Sequence, residues 1–283
     1  MRWRQGRRST NIEDRRGQPM VARRGVQLGG GAGLIVVLVV LLLGGNPADV
    51  LNILQEGGAP ADSSVSYEPS TAPDDEQAQF VSVVLADTED TWSAIFHSNG
   101  ARYDPPKLVL YTDMTRTGCG LGSAASGPFY CPSDHKVYLD LGFFGELRRL
   151  GAPGDFARAY VIAHEVGHHV QNLLGTMDEV NSVRVNADRT EANKLSVMLE
   201  LQADCYAGVW AYHARKARHI LEQGDAEEGI GAASAVGDDR LQRLAGRAVQ
   251  PDSFTHGSSK QRVSWFRTGL RTGDPAACDT FAG

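Results

Sequence analysis

The sequence predicts an α+β fold, mainly helical, set behind a single N-terminal transmembrane helix. Three observations predict it. Residues 25–48 carry no charge, and residues 34–43 are all Leu, Ile or Val. After residue 74, long stretches repeat apolar residues at helical spacing, against only two short runs that read as strands. Within one helical stretch, His164-Glu165-Val166-Gly167-His168 reads H-E-x-x-H.

The chain has 283 residues, enough for one sizeable domain with appendages. Residues 1–25 hold eight Arg against Glu13 and Asp14, a net +6, so the rest of a chain of net charge −6 carries −12. An acidic body behind a basic segment argues against nucleic acid as a partner. Residues 1–25 are expected as an irregular, basic cytoplasmic tail, and residues 26–45 as the transmembrane helix, since about 20 apolar residues cross a bilayer. Arg-rich sequence before the span places the N-terminus in the cytoplasm and the body outside. A cleaved signal peptide is the competing reading. The long basic region and the lack of a small-x-small cleavage site weigh against it. Residues 46–73, with Gly57-Gly58, Pro60, Pro69 and Pro73, are expected as a flexible linker. Residues 74–283 form the folded domain.

Residues 75–97 have a helical pattern closed by Asn99-Gly100. Lys107–Tyr111 reads as a buried strand, and 112–133 as a loop rich in Gly, Pro and Ser. Lys136–Leu141 alternates as a second strand, a candidate for pairing with extended peptide beside the motif. A short helix follows over Phe143–Leu150. The motif helix starts after Pro153-Gly154 with Asp155 as its expected N-cap and ends at Gly175. Gly167 inside it lowers helix propensity, which makes sense where another backbone must approach closely. Residues 176–187 are a polar connector. Asp188 and Glu191 have capping-box spacing for a long helix running towards Ala214. Residues 225–250 read as a helix or helix pair interrupted by Gly231 and Gly237. Ser258–Leu270 is a final amphipathic helix. Cys119, Cys131, Cys205 and Cys278 allow three pairings, which the sequence does not decide. Cys119 with Cys131 is favoured because both lie in the 112–133 loop. Cys205 with Cys278 then remains. Free buried thiols are the alternative.

Residues four apart lie on one helix face, so His164 and His168 can aim two imidazoles at one metal ion. Glu165 sits beside that face, within reach of a water at an open coordination position. That is the donor set of a catalytic zinc. The bland alternative is a helix that carries two histidines by chance. A third ligand is expected from Glu200-Leu201-Gln202-Ala203-Asp204. The carboxylates of Glu200 and Asp204 share a face, beside small residues that invite tight helix packing, and two acids there are costly without a cation. Glu200 is expected as the ligand, and Asp204 as the acceptor that orients a ligand histidine. His256 and Arg262 are the candidates for stabilising an oxyanion, with Arg262 equally able to pin a carboxylate. Tyr138 and Tyr206 are outlying options for the same task. His169 points about 100° away and is expected to pack.

The sequence resembles the neutral zinc metallopeptidase family of bacterial membrane-anchored proteins. The resemblance rests on residues 8–17, the apolar segment, Gly127–Pro132, Ala159–Gln171, Glu200–Cys205 and Cys278–Phe281. It implies a zincin-like metallopeptidase domain, a zinc cofactor and a peptide or protein substrate. A wider similarity is to gluzincins, whose membrane peptidases take a ligand Glu and a supporting Asp from E-x-x-x-D. In those peptidases a Thr-His-Pro segment followed by Arg makes transition-state contacts. Glu200, Asp204, Thr255, His256 and Arg262 fall on those positions, with Gly257 in place of Pro. The expectation is a zinc-dependent peptidase with Glu165 as general base. The alternatives are a metal-bearing scaffold without turnover and a hydrolase of a non-peptide amide such as a cell-wall crosslink.

Overall fold

The computed structural model describes residues 1–17 and 75–282, and the expected span 26–45 and linker 46–73 lie outside them. Among the described residues no helix is long and apolar enough to cross a membrane.

The strands are β1 (Ile12–Asp14), β2 (Lys107–Tyr111), β3 (Met114–Thr117), β4 (Gly120–Ser123), β5 (Phe129–Cys131) and β6 (Lys136–Asp140). The helices are α1 (Glu76–Ser98), α2 (Phe143–Arg149), α3 (Asp155–Leu173), α4 (Thr176–Arg184), α5 (Arg189–Ala217), α6 (Asp225–Ala235), α7 (Asp238–Leu244) and α8 (Ser259–Thr272). The fold is α+β and mainly helical, as expected. One sheet runs β1-β2-β6-β5, with β1, β2 and β6 parallel and β5 antiparallel to β6. β3 and β4 form a separate hairpin. α3 touches β5 and β6 on one side and packs against α5 and α6 on another. Phe156 and Trp210 stack at 5.5 Å in the core between α3 and α5.

Residues 1–17 correct the expectation of an irregular tail. β1 pairs Ile12 with Leu108 and Asp14 with Leu110, so the chain start forms the sheet's outer strand. Trp3 is buried edge-on against Phe80, 5.4 Å between rings. The Met1 ammonium lies 2.9 Å from Asp155 and 3.4 Å from both Glu222 and Asp225. Arg7 pairs with Glu89 of α1, and Arg16 pairs with its neighbour Asp14 and with Asp75.

Other differences are local. Asp155 is the first helical residue of α3 rather than its N-cap; Gly154 takes that place, because the Asp155 carboxylate is engaged with the ammonium of Met1. The connector 176–187 contains α4. The loop 112–133 contains the β3–β4 hairpin and β5. β6 lies between β2 and β5, so the Lys136–Leu141 run, a candidate for pairing with peptide, is an inner strand, and β5 is the edge on that side. The capping box of α5 forms, with Glu191 N–H donating to Asp188 at 2.9 Å, and α8 has a second one at Ser258 and Gln261. The disulfides are Cys119–Cys131 and Cys205–Cys278, the latter tying the C-terminal tail to α5.

Candidate metal centre

His164 and His168 share one face of α3, their ring centroids 4.8 Å apart. α5 crosses that face and brings Glu200 over it. Glu200 Oε2 lies 3.1 Å from His164 Nε2, and Oε1 lies 3.4 Å from His168 Nε2. One ligand atom from each of the three residues falls within 4.8 Å of the others. Donors around a tetrahedral zinc sit about 3.3 Å apart, given metal–donor bonds near 2.0 Å. The donor set and its spacing therefore fit that ion. Asp155, Asp225 and Glu228 also cluster, but there the Met1 ammonium is the cation.

The crossing is tight because Gly167 faces Ala203. A Cβ on Gly167 would lie 3.0 Å from the Ala203 carbonyl oxygen and 3.2 Å from its Cα. Gly167→Ala gains about 1 kcal/mol of helix propensity, yet overpacking of this kind costs about 1–3 kcal/mol. The variant is expected to unfold at lower urea and to bind zinc more weakly, since Glu200 rides on the displaced helix.

Each imidazole is held by its far nitrogen. His164 Nδ1 is 2.9 Å from Asp204 Oδ1, so it donates and leaves Nε2 facing Glu200. His168 Nδ1 is 2.8 Å from Gln171 Oε1. The Gln171 amide is set in turn by donating to Leu199 O at 2.7 Å and to Gln202 Oε1 at 3.0 Å. Such outer partners fix tautomer and aim. Asp204 is fully buried and also accepts from Arg262 Nε at 2.8 Å and Nη2 at 2.9 Å, and from the Tyr160 hydroxyl. Arg262 further reaches Tyr160 and the Val236 carbonyl. Its donors are thus turned towards Asp204 and its surroundings, which is the carboxylate-pinning reading of this residue.

Electrostatics follow from this packing. Burial disfavours charge on His164, yet Asp204 and Glu200 outweigh it and push its pKa up to about 10. The same attraction acts on any cation placed between them. Burial also opposes charge on Glu200 and Asp204, but the histidines hold Glu200 well below the usual carboxylate range, and Arg262 with His164 lowers Asp204. Burial raises the Glu165 carboxyl, against the pull of His164 and His168. Glu165 is buried at the wall of the cleft, and its carboxylate makes no hydrogen bond to another described residue.

These residues lie in a cleft of about 550 Å³. Its walls include Phe129 and Tyr130 of β5, Phe143, Met177, Leu199 and Leu241. His256 and Arg262 line it too, while Tyr138 and Tyr206 do not. Tyr138 donates to Asp134 at 2.6 Å and Tyr206 packs on Trp92. His169 packs as expected: its ring reaches the Asp104 carbonyl at 2.7 Å, and burial pushes its pKa down to about 4.

Three supporting residues were not anticipated. Tyr160 stands at the i−4 position of His164, and Gln171 at i+3 from His168, so helical spacing alone could have flagged both. Asp238 had no such signal. Its Oδ2 accepts from the backbone N–H groups of Thr255, His256 and Gly257 at 2.8, 2.7 and 3.0 Å, and its Oδ1 lies 3.2 Å from His256 Nδ1. Asp238→Ala should loosen His256, whose side chain is 52 % exposed. Misplacement of a reacting group by about 1 Å can cost on the order of 10²-fold in rate. Any turnover at this site is expected to fall by about that much while zinc stoichiometry holds.

"Uncharacterized protein YpfJ" of Escherichia coli (strain K12) is 51 % identical over 286 residues, covering 99 % of this chain and 99 % of that protein. "Uncharacterized protein Mb2605" of Mycobacterium bovis is 39 % identical over 253 residues, 86 % of this chain and 85 % of that protein. No solved structure matches significantly. Residues 1–281 match the family described as "Putative neutral zinc metallopeptidase", and the chain belongs to that family.

Proposed function

We propose that the protein is a zinc-dependent peptidase with a zincin-like active site. One observation carries the reading: His164, His168 and Glu200 converge beside a cleft into whose wall Glu165 is set without a hydrogen-bond partner. His164, His168 and Glu200 hold the metal. When bound, zinc supplies a Lewis acid that polarises the carbonyl and eases ionisation of water near neutral pH. Glu165 takes the proton of the attacking water and delivers it to the leaving amine. Burial raises its proton affinity above that of a solvated carboxylate. His256 is the donor for the developing oxyanion, because its ring is half exposed in the cleft while Arg262 is held by Asp204. Substrate lies extended along the free edge of β5, with apolar side chains against Phe143, Met177 and Leu199.

The setting proposed is extracytoplasmic, because two disulfides favour an oxidising compartment. Residues 1–17 share that compartment, since they share the sheet.

The test is incubation of the purified full chain with a mixed peptide library and, separately, with cell-wall fragments. Cleavage of peptides that a chelator stops and zinc restores is expected. A fully zinc-loaded protein that cleaves no peptide would overturn the reading, and release of cell-wall amines alone would transfer it to a non-peptide amide.

A further inference from the structure

Away from the cleft, α8 presents a second chemical surface. Lys260, Arg267 and Arg271 project from one side of α8, and Arg215 of α5 stands beside them. All four are exposed and line an open groove of about 950 Å³, whose floor includes Ile230 and Val263. Among the described residues no acidic side chain lines this groove, and none of the four cations makes a hydrogen bond or ion pair.

The arrangement also works against the helix that carries it. Lys260 sits in the first turn of α8, at the positive end of the helix dipole, and that turn holds no acid. Arg267 and Arg271 are like charges at i and i+4, a spacing at which they repel. Arg271 alone is accounted for by its place in the last turn. The Asp239 carboxylate accepts from the Ser259 N–H at the start of α8, but no acid stands beside Arg267 among the residues that line the groove.

We propose that this stripe is a docking surface for anionic phospholipid headgroups. It extends about 16 Å along α8, from Lys260 to Arg271 at 1.5 Å per residue. That length suits a row of separate phosphates better than one small anion. Guanidinium groups match phosphate oxygens in pairs. A long polyanion such as RNA would run beyond the stripe onto an acidic body, whereas headgroups touch the stripe alone. Apolar side chains between the cations suit an interface of mixed character, and the same chain carries the charge-free run 25–48.

The test is flotation of the full chain with vesicles of phosphatidylcholine alone or mixed with phosphatidylglycerol, at low and high salt. Each cation near an anionic surface is worth about a fivefold gain in binding. Wild type should therefore prefer the anionic vesicles by on the order of 100-fold at low salt, and lose that preference at high salt. The triple variant Lys260→Glu/Arg267→Glu/Arg271→Glu should bind both vesicles equally, and Lys260→Gln/Arg267→Gln should fall between. Binding of all forms to phosphatidylcholine reports the apolar run and cancels in the ratio. The proposal fails if the variants keep the wild-type ratio while their circular dichroism is unchanged. It fails equally if wild type has no preference, or if RNA or polyglutamate of matched charge binds as tightly as the anionic vesicles.

Discussion

Glu165→Gln is expected to abolish hydrolysis while leaving zinc in place. The substitution keeps shape and removes only the basic oxygen. Glu165 makes no hydrogen bond whose loss could disturb the fold, and burial already disfavours its charge. Stability should therefore hold or rise slightly. A positioned general base contributes about 10²–10⁴ in rate, so turnover of any peptide substrate should drop by about 10³-fold. Metal content by emission spectroscopy and the thermal midpoint should match the wild type. Full activity in this variant would remove Glu165 from the chemistry and leave the site as a metal holder.

Arg262→Met is expected to produce the largest loss of stability of any single substitution near the site. Asp204 is fully buried and Arg262 is its only ion-pair partner among the described residues apart from the His164 ring. Removing one partner of a buried pair costs about 3–5 kcal/mol, because the other charge is left without compensation. Zinc affinity should also fall by about 10–100-fold, since Asp204 aims His164. The double variant Asp204→Leu/Arg262→Met removes both charges and should regain most of the stability but not the metal affinity. Urea denaturation and zinc titration read the two effects separately. An Arg262→Met protein of normal stability and zinc affinity that loses only turnover would instead assign Arg262 to the oxyanion.

The residues at the centre were legible because their information is local. An imidazole pair four apart, a carboxylate pair four apart and a small residue beside each read as helix faces before any fold is known. The capping box at Asp188 is local in the same sense. The close approach at Gly167 was also readable, since a glycine inside a buried helix gives up propensity that only close packing returns. What escaped is what depends on distant pairing. β1 is Ile12-Glu13-Asp14, two acids and one apolar residue among arginines, and only β2 and the acids of the body make it a strand. Asp155 looked like a cap because nothing in its neighbourhood reveals the ammonium brought to it from 154 positions away. Asp238 escaped because its three acceptor contacts lie across a loop. β5 escaped because a three-residue strand in a Gly- and Pro-rich stretch carries no alternation long enough to detect.

The place of β1 also sets an order of events during synthesis. Ile12 leaves the ribosome long before Leu108, its partner in the finished sheet. At about 5–20 residues per second, the gap is on the order of ten seconds. Through that interval the first strand has no template and Trp3 has no Phe80 to cover it. The nascent chain must keep this segment unengaged until the middle of the protein arrives, which makes its docking a late step in maturation and a natural point for chaperone assistance.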